Sequence, residues 1–134
     1  MIRIPQGIHD EMIAHAKEGF PLEVCGILGG TGASVSVIYR MTNTDASNEH
    51  FMMDPREQFS VVKDLRAKGL AMLAIYHSHP ETPARPSEED IKLALTPEVS
   101  YLIVSLADAA VPDMKSYKIT SGNVQLEPIE LIVY

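Results

Sequence analysis

The chain has 134 residues, 46% of them apolar and 6% aromatic, and its 11 Lys+Arg against 18 Asp+Glu give a formal net charge of -7. That length supports one core without disulfide staples, so a single domain over residues 1–134 is expected. The acidity and the lack of any Lys or Arg run disfavour a binder of phosphate backbones, and no apolar run nears the ~18 residues that cross a bilayer. The lone Cys25 permits no intramolecular disulfide and suits a reducing cytosol. The first residues lack the pattern of a signal peptide, so a soluble cytoplasmic protein is expected, with no membrane or nucleic-acid partner.

Ile2 to Pro5 reads as a short strand. Ile8, Met12, Ile13 and Ala16 recur at helical spacing between Gln6 and Gly19. The apolar run Pro21 to Gly30, which carries Glu23, is expected to form a strand, with Ser34 to Arg40 as its hairpin partner. Thr42 to Glu49 is a polar loop and His50 to Met53 a short strand. Pro55 suits the first position of a helix that runs to about Lys68, with Gly69 closing it. Leu70 to Tyr76 is nearly all apolar, as in a central strand covered on both faces, and delivers His77 and His79 at its end. Glu81 to Pro86 is a loop, and Ser87 to about Leu95 a short helix stopped by Pro97. Ser100 to Leu106 is another apolar strand. Met114 to Thr120 and Asn123 to Glu127 pair across the two-residue turn Ser121-Gly122, and Ile129 to Tyr134 adds a last strand. The class is α+β, or a mixed three-layer α/β fold.

The chemistry concentrates in His77-Ser78-His79-Pro80 and Ser87-Glu88-Glu89-Asp90. Two histidines at i and i+2 on a strand share a face, and strand ends are where side chains converge on a ligand. A third ligand from a nearby turn would give a zinc site with one open position, as in catalytic sites. Ser87 with Asp90 also fits a capping box, in which Ser87 accepts from the backbone N–H of residue 89 or 90. On that reading Asp90 reaches a metal only by turning away from Ser87, and Glu88 and Glu89 are solvated charges at a helix start. Glu23 is either an outward-facing strand residue or a buried acid that must be paired. A zinc hydrolase needs a carboxylate of the second kind, near the metal without ligating it. Cys25 shares a strand face with Glu23 by alternation, as a small buried residue or an additional metal ligand. His9, His15 and His50 have no metal-like spacing, and the methionines read as core.

Glu23, His77-x-His79-Pro80, the seven residues Pro80 to Pro86, and Ser87-x-x-Asp90 together resemble the motif of the JAMM/MPN-domain metalloproteases. Pro21 to Gly30 resembles the strand that carries their catalytic acid, and Phe51-Met52-Met53-Asp54-Pro55 the segment before their second helix. The resemblance implies a central mixed, largely antiparallel sheet flanked by helices, related to the layered fold of the cytidine deaminases. It also implies one Zn2+ per chain held by His77, His79 and Asp90, with Glu23 as general base and then acid and Ser87 helping to stabilise the oxyanion.

The compact prokaryotic members of that family imply a substrate class as well. They resemble enzymes that hydrolyse the amide bond after the C-terminal Gly-Gly tail of a ubiquitin-fold sulfur-carrier protein, either processing a precursor or releasing an amino acid. The alternatives are a non-catalytic carrier-binding module with structural zinc, and a RadC-like DNA-repair-associated protein. A zinc deaminase is excluded by the lack of His-x-Glu and Cys-x-x-Cys ligands. Monomer and homodimer both remain open.

Overall fold

The computed structural model describes residues 1–133. β1 (Ile2–Pro5) leads into α1 (Gln6–Gly19), and β2 (Cys25–Thr31) and β3 (Ser34–Met41) form a hairpin before α2 (Pro55–Ala67). β4 (Ala71–His79), α3 (Glu88–Leu93) and β5 (Ser100–Ser105) follow, then β6 (Asp113–Thr120), β7 (Asn123–Glu127) and β8 (Ile129–Ile132). The strands make one sheet in the order β7-β6-β5-β4-β2-β3-β1-β8. The pairs β2/β3, β2/β4, β5/β6 and β6/β7 are antiparallel, whereas β1/β3, β1/β8 and β4/β5 are parallel. The expected mixed sheet is present, with antiparallel pairs only narrowly in the majority.

Helices cover both faces because strand residues alternate in direction. Met12 and Ala16 of α1 pack with Leu28, Tyr76, Leu102 and Val104 on one side. Val61 and Leu65 of α2 pack with Cys25, Ile27 and Ile75 on the other. Burying two such side chains is worth about 1.5–3 kcal/mol each, so the apolar stripe of α2 is what holds it down. Asp54 caps α2 by accepting from the Arg56 N–H at 2.8 Å, with Pro55 at its first turn. A Cβ at Gly26 would lie 2.1 Å from Tyr76 Cε1. Glycine there lets the Tyr76 ring cross β2, and its hydroxyl meets His15 Nδ1 at 2.7 Å.

The register places the site. Cys25, His77 and Ile103 sit opposite one another across β2, β4 and β5, so all three face the α2 side of the sheet. The parallel pair β4/β5 needs a crossover, and α3 with its preceding loop supplies it beyond the C-terminal end of β4.

Four expectations shift. The strand expected from Pro21 begins only at Cys25, because Glu23 N–H donates to Ser47 O and Val24 N–H to Ser78 Oγ rather than to a ladder. His50 to Met53 forms no strand beyond a single bridge, Asn43 to Met53, since the Met52 N–H donates to the Asn43 side chain. β4 extends through both histidines, where the sequence suggested a stop at Tyr76. α3 ends at Leu93, with Ala94 already non-helical at ψ 84. The Ser121-Gly122 turn is as expected, with φ 50 and 81 in the left-handed region that such hairpins require. The last strand closes at Ile132, and Tyr134 lies outside the described residues. No helix among the described residues is long and apolar enough to cross a membrane.

Candidate metal centre

His77 and His79 project from the end of β4 on one face, both at most 5% exposed. Their Nε2 atoms lie 3.1 Å apart. Asp90 Oδ2 reaches in from α3, 3.2 Å from His77 Nε2 and 3.0 Å from His79 Nε2. Among the described residues, these three form the group able to hold a metal.

Their spacing fits zinc. Tetrahedral zinc with bonds of about 2.0–2.1 Å separates its ligand atoms by roughly 3.3 Å, close to all three sides of this triangle. Two imidazole nitrogens and one carboxylate oxygen are also a zinc donor set. His79 is oriented from behind: its Nδ1 donates to Pro83 O at 2.9 Å, which leaves Nε2 as the nitrogen that faces Asp90. The loop bearing Pro83 is itself held, by Ser105 Oγ donating to Thr82 O at 2.5 Å and Tyr117 OH donating to Ala84 O at 2.6 Å. β5 and β6 thereby fix the ring orientation of a residue on β4.

The electrostatics agree. Burial works to raise the Asp90 pKa, but hydrogen bonds from His77 and His79 outweigh it and hold the carboxyl well below the usual range. Burial likewise works to lower the His79 pKa and is outweighed by Asp90 and the Pro83 carbonyl, so the net shift is upward. Both partners favour positive charge at this point, which a dication supplies.

Asp90 does not have to choose between capping and ligation. Its Oδ2, the atom between the histidines, also accepts from the Ser87 N–H at 2.9 Å, and Ser87 Oγ accepts from the Asp90 N–H at 3.0 Å. The capping box is complete, and it locks the carboxylate in the ligating direction. Ser87 Oγ uses one lone pair in this bond, so its O–H remains free to donate.

Glu23 is 5% exposed rather than outward-facing. It precedes β2, so the expected alternation with Cys25 does not relate them. Its Oε1 is buried with no hydrogen-bond partner among the described residues. Desolvation pushes its pKa up to about 7; His79 opposes the rise and Asp90 adds to it. The carboxyl therefore feels both His79 and Asp90 while lying outside the cluster of candidate ligands. Cys25 lies outside the cluster, fully buried against Ile27, Met41 and Leu65, with its thiol pushed up to about 12 by burial.

Several participants carried no sequence signal. Phe51 stacks on the His77 ring with centroids 4.6 Å apart and 23° between planes. His50, assigned no role from sequence, meets Glu89 at 2.8 Å, so Glu89 is paired rather than simply solvated. Ser78, between the two histidines, faces the opposite way; its Oγ and N–H both bond the Val24 backbone, tying the Glu23 segment to β4. The alternation of the strand is the one cue that predicts this third residue's direction.

Residues 5–120 match the family model described as prokaryotic homologs of the JAB domain. A CysO-cysteine peptidase of Mycobacterium tuberculosis is 36% identical over 123 residues, covering 90% of this chain and 84% of the relative. A desampylase of Haloferax volcanii is 34% identical over 103 residues, covering 72% of this chain and 74% of the relative. The solution structure of a Desulfitobacterium hafniense protein superimposes with a TM-score of 0.91 at 48% identity, covering 100% of this chain and 94% of the other.

Proposed function

Since this chain belongs to the prokaryotic JAB-domain branch of the JAMM/MPN hydrolases, we propose that it is a zinc metallopeptidase acting at the Gly-Gly tail of a ubiquitin-fold carrier protein. In this reading it hydrolyses the amide bond that follows the tail, either processing a precursor or releasing an attached amino acid. The observation that carries it is the His77, His79, Asp90 triangle beside a buried, unpartnered Glu23 carboxylate. The peptidase and desampylase relatives support action on a protein's conjugate or tail.

Zinc bound by the triangle would polarise the scissile carbonyl and bring the pKa of a water near neutrality. Glu23 takes the proton of the attacking water and returns it to the departing nitrogen. A pKa near neutrality suits both halves of that exchange, although a nearby dication draws it downward. Ser87 donates its free O–H toward the oxygen that gains charge as the carbonyl is attacked. His79 is kept in register by Pro83, and Asp90 by Ser87, so the site is set before substrate arrives. A structural role for the metal would call for a closed set of four protein ligands, and the cluster among the described residues has three.

The test uses a sulfur-carrier protein extended beyond Gly-Gly, followed by mass spectrometry with the enzyme chelated and then reloaded with zinc. Release at the Gly-Gly bond that disappears on chelation and returns with zinc is expected. An intact carrier at full zinc loading would contradict the assigned substrate.

A further inference from the structure

The metal position is shut away from solvent. Glu23, His77 and His79 are each at most 5% exposed, and the Asp90 side chain 13%. The cavity that has His77 and Asp90 in its wall measures about 40 Å³. That is water-sized, against roughly 300 Å³ or more for a pocket that takes a ligand. A peptide bond has to reach the metal together with the attacking water, so one wall must give way.

Three walls are candidates. Ile103 and Ile119 lie on β5 and β6 and are fixed in the ladder of the sheet. Pro86, Glu89 and Leu93 belong to α3 and its lead-in, which carry Asp90 and cannot leave without taking a ligand along. Glu49, His50 and Phe51 make the third wall. Asn48 to Phe51 lies in no helix or strand and holds no metal ligand. Its ends are tied: Ser47 O accepts from Glu23 N–H at 2.8 Å, and Met52 O from Thr44 N–H at 2.9 Å. Just ahead of it, Ala46 sits at φ 44, in the left-handed region that is costly for alanine. Two contacts close the segment over the cavity. His50 Nδ1 meets Glu89 Oε2 at 2.8 Å, with both side chains 46% exposed, and the Phe51 ring lies on His77. An exposed pair of that kind is weak, and the His50 carbonyl, bonded by Asn43 Nδ2, is a point on which the segment can turn.

We propose that Asn48 to Phe51 is a strap closed over the metal position, latched to α3 by His50 and Glu89, which swings out to admit the scissile peptide bond. The inference rests on the peptidase reading above. Closure keeps bulk water from Glu23 and the metal until a substrate is present.

The test joins the two sides of the latch. Protein carrying His50→Cys and Glu89→Cys, loaded with zinc, is bridged by a short bis-methanethiosulfonate and later released with a phosphine reductant. Cys25 is fully buried and out of reach of the reagent. The first readout needs no turnover. Dipicolinate strips zinc at a rate that rises with its own concentration only where it can enter. In that regime the bridged protein should lose zinc at least about 10-fold more slowly than after reduction. The second readout is kcat/KM on the extended carrier, which should fall with the bridge and return with reductant. His50→Ala alone, at unchanged zinc content, should speed zinc loss by up to about 5-fold, the limit for a surface pair. An unchanged rate there would overturn the latch. Equal zinc loss before and after reduction would overturn the strap, as would full carrier cleavage by the bridged protein. If no state cleaves the carrier, the carrier reading fails, and zinc loss alone decides the strap.

Discussion

Asn43 holds the backbone of Glu23 in place: its Nδ2 donates to the Glu23 carbonyl at 3.0 Å. The same amide donates to His50 O at 2.9 Å, and Oδ1 accepts from the Asp45 and Met52 N–H groups, each at 3.1 Å. Both protons and both lone pairs are used, and two carbonyls on one side with two N–H groups on the other fix which end is nitrogen. One side chain thus couples the segment bearing Glu23 to the segment that presents Phe51 to His77. Asn43→Asp keeps the accepting half and turns the donating half against two carbonyls. We expect turnover to fall about 100-fold for a displacement near 1 Å, with zinc content unchanged and Met52 amide exchange faster. Unchanged turnover with the same faster exchange would make Asn43 merely structural.

Glu23 also marks the pH dependence of the metal-free protein. Its folded pKa of about 7 lies above the ordinary 4.5. Folding therefore favours the protonated acid, and its contribution is full below the ordinary value and lost as pH rises through about 7. Glu23→Gln removes that dependence. The metal-free variant should gain on wild type between pH 4.5 and pH 8 by at most about 3 kcal/mol, measured by denaturant unfolding after chelation. Parallel curves for the two proteins across that range would show that Glu23 is not held in a desolvated state.

The proposed mechanism gives Ser87 two separable contributions. Its cap is worth about 0.5–2 kcal/mol of stability, and an oxyanion donor about 2.7–4 kcal/mol of barrier. Ser87→Ala should therefore lower kcat about 10²–10³-fold and shift the unfolding midpoint modestly. Ser87→Asp separates the two, because aspartate caps a helix but donates no proton. If it recovers stability without recovering kcat, the hydroxyl acts on the reaction; recovery of both would reduce Ser87 to a cap.

His77→Ala and Asp90→Asn remove one corner of the triangle each. Zinc content should fall well below one per chain in both. Wild-type protein should lose thermal stability on chelation, by an amount that grows with the logarithm of the zinc concentration used for comparison. Full zinc in the Asp90→Asn protein would mean that the metal is held elsewhere.

Much of this architecture was legible in the residues. Periodicity locates α1, Pro55 and Gly69 bound α2, and the His-x-His alternation puts both rings on one face. Where the reading slipped, tertiary hydrogen bonds had replaced local ones. Pro21 to Val24 looks like strand because it is apolar, yet Ser47 and Ser78 take its N–H groups. The sequence pattern sets capping against ligation at Asp90, whereas a carboxylate oxygen has lone pairs enough for both. Phe51, Asn43 and the Pro83 carbonyl act through contacts made by the folded loops, and no spacing in the chain encodes them.

The most direct test of the account compares wild type with Glu23→Gln on a carrier protein extended beyond Gly-Gly, with zinc measured on both. Equal zinc and cleavage by wild type alone are expected if Glu23 moves the proton and does not hold the metal. Cleavage by the variant at an undiminished rate, or loss of its zinc, would contradict that division of labour.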